Sequence, residues 1–152
     1  MLNKGYELIV AGLLASMLAQ TMKFIGHTVR FREINFQVLS TTGGMPSAHS
    51  AFVCAMATSA GLIAGFESLD FAIMLGVALV VMYDAAGLRR AAGKMAASLN
   101  RMMDDFYSHR HQEAGEKLKE LLGHTPFEVF VGATWGVCFA FAVHKYLQHI
   151  AA

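Results

Sequence analysis

The sequence has few charges, prolines, cysteines and tryptophans. Of its 152 residues, 15% are charged, two are proline, two are cysteine and one is tryptophan. Cys54 and Cys138 lie inside apolar runs, which predicts small core residues and no disulfide framework. The net charge of +1 argues against a nucleic-acid partner. Hydrophobic residues make up 55% of the chain, and the mean hydropathy is +0.45. This composition is typical of a membrane protein, and the length predicts one domain over residues 1–152.

Four apolar runs dominate the chain, and each is slightly shorter than the ~20 residues that a spanning helix needs. They cover residues 6–22, 51–66, 71–88 and 127–143. We expect polar flanks to complete the spans, or the helices to surround a wet site. The sequence therefore predicts an all-α integral membrane bundle with about four spanning helices.

The long polar stretch over residues 89–125 begins with an amphipathic helix. Apolar side chains recur on one face at helical spacing, and basic side chains lie on the opposite face. The apolar positions are Leu88, Ala91, Ala92, Met95, Leu99, Met102, Met103 and Phe106, and the basic ones are Arg90, Lys94 and Arg101. We expect this helix to lie on the membrane interface, followed by a loop over 104–111 and a short helix over 112–122.

The positions of Lys and Arg predict the orientation in the membrane. If the four runs span, residues 23–49 and 89–125 share one side and carry ten Lys and Arg, whereas the other side has Lys4 and Lys145. We therefore expect the basic side to be cytoplasmic, in a bacterial cytoplasmic membrane.

A segment suited to binding phosphate stands directly before the second run. Residues 43–50 are Gly-Gly-Met-Pro-Ser-Ala-His-Ser. Glycines such as Gly44 let backbone N–H groups turn towards an anion, and the following helix directs its positive dipole end to the same place. Ser47 offers a hydroxyl, and His49 can exchange a proton near neutral pH. A Gly-Pro turn that caps a membrane helix explains the same residues.

Two further polar clusters fall on the same predicted face. Lys23 and Arg30 stand seven residues apart, and Gly-His-Thr-Pro-Phe-Glu-Val occupies residues 123–129. Each has a simpler explanation: the cations are typical membrane anchors, and Glu128 three residues after Thr125 is a capping box. The convergence of three clusters favours a phosphate site.

Two other polar features lie outside these clusters. Asp84 interrupts the third apolar run, where a carboxylate is costly; we interpret it as a partner of Arg89 or Arg90, either a structural ion pair or a group that orients the arginine. The sequence His-Arg-His at 109–111 lacks the carboxylate or cysteine that would complete a metal site, so we expect a solvated loop and no metal.

The three clusters together resemble the signatures of the type 2 phosphatidic acid phosphatase superfamily, which includes vanadium haloperoxidases. Over residues 6–143 the chain is most similar to the small divergent branch of that superfamily. Three departures stand out: Phe31 replaces a proline after Arg30, Ala48 replaces a glycine before His49, and Leu118 stands where an arginine is expected. Because a planar, bidentate donor suits phosphate oxygens, we take Arg89 as the candidate replacement.

The resemblance implies a phosphohydrolase that needs neither metal nor cofactor. His124 would attack phosphorus, Glu128 would hold its imidazole in the right tautomer, and His49 would protonate the leaving oxygen. The phosphate would be held by Lys23, Arg30, Ser47, Arg89 and backbone N–H donors around Gly44.

The leading hypothesis is a lipid-phosphate phosphatase of the membrane face. The substrate would be phosphatidic acid, phosphatidylglycerophosphate, a polyprenyl diphosphate or a similar lipid. The alternative is a catalytically inactive protein of the same scaffold that binds a phosphate-bearing lipid or a partner. A small transporter or channel fits less well, because the polar residues cluster at one face. Four spans are fewer than the six helices of the superfamily, so we expect either the amphipathic segments or a homodimer to complete the bundle.

Overall fold

The protein is all-α in the parts that the structure, a computed structural model, describes: residues 4–39, 44–108 and 123–151. Its elements in chain order are α1 (Lys4–Phe31), a short 3-10 helix (Phe36–Leu39), α2 (Ala48–Ala64), α3 (Leu69–Ala86), α4 (Leu88–Ser108) and α5 (Pro126–Ala151). The predicted fold class, a membrane bundle of about four helices, is confirmed.

Within the described residues, three helical stretches are long and apolar enough to cross a membrane. They are Gly5–Phe31, Leu69–Phe106 and Pro126–Ile150; the second joins α3 to α4. The shorter apolar helix α2 packs against α1, α3 and α5. Most of α2 is buried, whereas α3 buries only Ala78 and Ala85. The bundle is therefore built around α2, and α3 turns most of its apolar surface outward.

Small residues bring the backbones of α1, α2 and α5 together. Ala15, Ala19, Ala51, Ala55 and Ala140 are fully buried. A Cβ atom added to Gly132 would lie 2.3 Å from the carbonyl oxygen of Ser47, and one added to Gly136 would lie 2.3 Å from that of Ala51. Close backbone approach of this kind drives helix association in lipid, where burial of apolar surface contributes little.

Two helix ends differ from the sequence-based expectation. The first apolar run ends at Met22 and we expected a polar loop from Lys23 to His49, but α1 continues to Phe31, so Lys23 and Arg30 lie on a helix. Isolated charges do not break a helix; α1 ends where Arg32 adopts a left-handed φ of 54°. Helix α4 likewise continues to Ser108, through the start of the expected loop at Asp104.

Helix α4 has the predicted amphipathic character, and in the described part of the chain it packs against α3. Met95, Leu99, Met102 and Phe106 of its apolar face are all exposed. Its position at the membrane interface stays a prediction. The expected helix over 112–122 and the His-Arg-His sequence at 109–111 lie outside the described residues.

Candidate active site

The predicted clusters meet at one end of the bundle, where α1 and α3 end and α2 and α5 begin. The backbone N–H of Ser47 donates to the carbonyl oxygen of Glu128 over 3.2 Å. Gly44, with a φ of +82°, places its α-carbon so that an added Cβ would lie 3.5 Å from Cδ of Lys23. The segment before α2 therefore lies between α1 and α5.

His124 and Glu128 form the best-defined contact of this end. Nδ1 of His124 lies 3.2 Å from Oε2 of Glu128. The same oxygen accepts the N–H of Thr125 at 3.1 Å, and the N–H of Glu128 donates to Oγ1 of Thr125 at 3.3 Å. Glu128 was interpreted both as part of a capping box and as the group that holds the imidazole. Both contacts are present, because one carboxylate caps α5 and also contacts the imidazole. With Nδ1 on the carboxylate, Nε2 is the ring nitrogen that points away from Glu128.

The surroundings of His124 favour its neutral form. Only 2% of the residue is exposed. Burial lowers the pKa of His124, and the positive charge of Lys23 lowers it further, whereas hydrogen bonding to Glu128 and to the backbone of Gly44 raises it. The net direction is downward. A neutral imidazole keeps a lone pair for nucleophilic attack.

His49 faces His124 from the first turn of α2. The ring centroids are 6.4 Å apart and the ring planes are inclined by 67°, in an edge-to-face arrangement. His49 is exposed, in contrast to His124. The site thus contains one buried histidine, His124, and one exposed histidine, His49, and both can carry a proton.

Lys23 and Ser47 are buried at this end. Lys23 is 8% exposed, and it is close enough to Glu128 and His124 for its charge to act on them. Ser47 is completely buried; its Oγ caps α2 by accepting the N–H of Ser50 at 3.4 Å. Pro46 directly precedes this cap and so lies outside α2. Ser47 lies beneath the site and holds the start of α2.

Three predicted residues are less closely tied to the histidines. Arg30 is exposed, about two helical turns beyond Lys23, with its guanidinium carbon 5.6 Å from the ring centroid of Phe31. Arg89 lies in the first turn of α4, but its side chain falls outside the described part of the structure. Asp84 is half-buried in the last turn of α3, at the end of the bundle that holds the site. Their assigned roles stay predictions.

A cavity of about 440 Å³ adjoins His49. Its lining comes from three helices: Ser16, Gln20, Ala48, His49, Phe52, Val53, Val77 and Val81. The sequence analysis did not single out Ser16 and Gln20, although they precede Lys23 on the same stripe of α1. A larger cavity of about 560 Å³ is lined by residues such as Gly5, Ala64 and Asp70 at the opposite end, away from the histidines.

The described residues contain no cluster of side chains that could bind a metal ion. Within 4–39, 44–108 and 123–151, His, Cys, Asp and Glu do not gather in groups of three or more that could hold an ion. The polar groups at this end are suited to an anion, since they combine a buried lysine, two histidines and a glycine with positive φ.

The fold and the site define an α-helical integral membrane protein with a polar, histidine-containing site at one end of its bundle. The Divergent PAP2 family matches residues 5–139, so the chain belongs to that family. The resemblance stated from the sequence is confirmed. "Uncharacterized membrane protein YuiD" of Bacillus subtilis (strain 168) is 37% identical over 139 residues, which cover 85% of this chain and 88% of that protein. No solved structure matches the chain.

Proposed function

We propose that the protein is a membrane phosphohydrolase that releases phosphate from a lipid phosphate ester through a phosphohistidine on His124. The observation that carries this proposal is the contact of 3.2 Å between Nδ1 of His124 and Oε2 of Glu128. It orients a buried imidazole with Nε2 directed away from the carboxylate. Membership of the Divergent PAP2 family adds the expectation of phosphatase chemistry.

The first half-reaction transfers the phosphoryl group to the enzyme. Nε2 of His124 attacks phosphorus, and the bond between phosphorus and the lipid oxygen breaks. His49 donates its proton to the leaving oxygen, so the lipid departs as an alcohol, or as a monophosphate if the substrate is a diphosphate. Glu128 stabilises the positive charge that develops on the imidazole of His124.

The second half-reaction returns the enzyme to its starting state. His49, now neutral, takes a proton from water as the water oxygen attacks phosphorus. The bond between Nε2 and phosphorus breaks, and inorganic phosphate leaves. In this proposal Lys23, Arg30, Ser47, Arg89 and the backbone near Gly44 stabilise the phosphoryl oxygens.

The site is proposed to face the cytoplasm, in a bacterial cytoplasmic membrane. Counting the apolar runs predicts that residues 23–49 and 89–125, which carry ten Lys and Arg, share the side of the membrane on which the site would open. A phosphate head group at the membrane surface would reach that end while its chains stay in the bilayer. A lipid is therefore the substrate class proposed for this protein.

Phosphate release by the purified full-length chain in detergent tests the proposal. Phosphatidic acid, phosphatidylglycerophosphate and a polyprenyl diphosphate would be supplied with and without added divalent ions. We expect release from at least one lipid by the wild type and none by His124→Ala. His149→Ala is the matched control, since His149 is exposed in the last turn of α5. Unchanged release by His124→Ala would refute the nucleophile.

A second candidate is a non-catalytic protein that binds a phosphate-bearing lipid. It is favoured by Leu118 at the position of the expected arginine and by the contact of Arg30 with Phe31. If the wild type binds phosphatidic acid reversibly while no lipid in the panel is hydrolysed, this second function is the correct one.

A further inference from the structure

We propose that a groove between α1 and α3 holds one fatty acyl chain of the lipid, and that Met56 sets the length of chain that the groove accepts. The inference rests on the proposed function in one respect: the phosphate of the lipid binds beside His49 and His124. It goes further because it assigns the hydrocarbon part of the lipid to a site of its own and identifies a residue that selects the chain.

The groove exists because α1 and α3 both pack against α2 but not against each other. Within the described residues, no α-carbon of α1 lies within 8 Å of one in α3. The strip of α2 between them therefore forms a floor, with one helix on each side. Val77 and Ile73, which line the groove from α3, are exposed. The groove is thus open along this side, and a chain can enter it from the bilayer.

Two cavities follow each other along this groove. The first, of about 440 Å³, has residues 48–53 of α2 as its floor, and the second, of about 560 Å³, has residues 60–64. Along α1 the wall moves from Ser16 in the first cavity to Leu8 in the second. Because the first cavity begins at His49, the groove leads directly away from the proposed position of the phosphate.

Hydrocarbon predominates in the lining of the groove. Beyond His49 the first cavity is lined by apolar side chains of α2 and α3 and by two polar ones of α1: Phe52, Val53, Val77, Val81, Ser16 and Gln20. Among the described residues, neither cavity has a Lys or Arg in its lining, so a second anionic head group finds no cation there. A fatty acyl chain is suited to such walls, since it makes van der Waals contacts and needs no hydrogen bonds.

The depth of the first cavity matches the reach of a fatty acyl chain. Along the axis of α2, Met56 lies about 10.5 Å from His49, and Ala64 lies about 22.5 Å from it. The hydrocarbon core of a bilayer is about 30 Å thick, so the acyl chains of one leaflet extend about 15 Å into it. A chain that starts beside His49 therefore ends close to Met56. A polyprenyl chain, which is much longer, would have to pass Met56 and continue into the second cavity.

Met56 lies between the two cavities, at the level of Gly12 of α1. It follows Phe52 by one helical turn and precedes Ala60 by one turn, so all three share a stripe of α2. A Cβ atom added to Gly12 would lie 2.7 Å from Cγ of Met56 and 3.1 Å from ring carbons of Phe52. These two side chains therefore fill the space over Gly12. Because a methionine side chain is unbranched and adaptable, it can stop a chain at this depth without being part of the backbone packing.

Competition between two lipids that differ in chain length tests the inference. Dioleoyl and dinervonoyl phosphatidic acid each carry one cis double bond per chain, but the nervonoyl chains are longer. Both lipids are supplied to the full-length protein in the same mixed micelles, and the ratio of their kcat/KM values is measured. We expect the wild type to prefer the dioleoyl lipid by about tenfold, because the longer chain meets Met56. Equal values for the two lipids in the wild type would overturn the inference.

Substitution of Met56 should remove this preference. Met56→Ala opens the passage over Gly12 and joins the two cavities, so the ratio of the two kcat/KM values should fall about tenfold and approach one. Ile73→Trp fills the second cavity, so its addition to Met56→Ala should restore the wild-type ratio. A wild-type ratio in Met56→Ala would contradict the role of Met56.

A pair of tryptophan variants on α3 provides the matched control. Val77 lines the first cavity, whereas Val80 is an exposed valine of the same helix that lies outside the lining of both cavities. Val77→Trp should slow hydrolysis of both lipids at least about tenfold, because the indole occupies the space of the chain. Val80→Trp should keep the wild-type rates and the wild-type ratio. Equal rates in the two variants would show that the chain does not use the groove.

Photo-crosslinking separates failure of this inference from failure of the proposed function. A phosphatidic acid with a diazirine at the end of one acyl chain should label Met56 or its neighbours Phe52 and Gly12, and excess unlabelled phosphatidic acid should compete with that label. Labelling of the groove without hydrolysis of any lipid supports the inference and refutes the proposed chemistry. Hydrolysis with label only on outward residues such as Val80 overturns the inference and leaves the proposed function standing.

Discussion

Oε2 of Glu128 lies 3.2 Å from Nδ1 of His124 and, at 3.1 Å, accepts the backbone N–H of Thr125. One carboxylate oxygen thus begins a membrane helix and fixes a buried histidine. The cap ties the position of the carboxylate to the backbone of α5, and the position of the imidazole follows from it. The local signal for a helix start, Thr125 with Glu128, and the proposed catalytic pair, His124 with Glu128, therefore share Glu128.

The capping role of Glu128 and its electrostatic role toward His124 can be separated by substitution. Gln also serves in a capping box, so Glu128→Gln should fold with nearly wild-type thermal stability in detergent. The amide oxygen of Gln can take the place of Oε2 and keep both contacts, but it carries no negative charge to stabilise the imidazolium that forms on His124, so phosphate release should fall at least about a hundredfold. Thr125→Ala is the converse control: it should cost about 1 kcal/mol of stability and leave kcat nearly unchanged. Wild-type turnover in Glu128→Gln would contradict the electrostatic role of Glu128.

The activity should depend on pH through His124. Its pKa is lowered by burial and by the charge of Lys23, and its neutral form is the nucleophile, so kcat/KM should rise as pH increases through that lowered pKa. Lys23→Met removes a positive charge beside the ring, so the pKa of His124 should rise. The acidic limb of the plot of kcat/KM against pH should therefore move to higher pH. Lys23→Arg keeps the charge and should keep the limb in place. A limb that does not move in Lys23→Met would contradict the electrostatic role of Lys23.

The close approach of α5 to α2 predicts a steric requirement at Gly132. A Cβ there would lie 2.3 Å from the Ser47 carbonyl oxygen, which is backbone and cannot rotate away. Gly132→Ala should therefore lower the thermal stability by about 1–3 kcal/mol and separate His124 from the start of α2, with loss of activity. Gly76→Ala on α3 is the control, since an added Cβ meets nothing within 4 Å there. Equal stability of the two variants would refute the packing argument.

A second polar contact joins α1 and α5 at the end of the bundle away from the site. Nδ1 of His144 lies 2.7 Å from Oε1 of Glu7. Interhelical hydrogen bonds in membranes contribute roughly 0.6–2 kcal/mol, so Glu7→Gln and His144→Phe should each lower the melting temperature modestly. The kcat of the folded fraction should stay at the wild-type value. A large loss of kcat without loss of stability would show that this pair acts on the chemistry.

The convergence of the polar clusters could be predicted because each spanning segment reverses the direction of the chain. Counting the apolar runs was enough to bring His49 and His124 to the same end. The end of α1 could not be predicted in the same way, since apolar periodicity fades at Lys23 while nothing in residues 23–31 stops a helix. The Thr-x-x-Glu pattern signalled the cap of α5, whereas the contact of His124 with Glu128 was implied by the resemblance to the phosphatase superfamily.

Features that depend on three-dimensional packing were beyond the sequence. The approach of Gly132 to Ser47 requires the crossing of α2 and α5, which no local pattern specifies. Ser16 and Gln20 form part of a cavity only because α2 and α3 complete its other walls. In the sequence they are two polar residues inside an apolar run, which is compatible with several positions around the helix.

The central claim is that His124 carries the phosphoryl group. To test it, the enzyme is mixed with phosphatidic acid that is labelled in its phosphate, and the reaction is stopped rapidly without acid. The account predicts an acid-labile, alkali-stable label on the peptide that contains His124, present in the wild type, longer-lived in His49→Ala and absent in His124→Ala. Hydrolysis of the lipid by His124→Ala, or a label on a peptide that lacks His124, would contradict it.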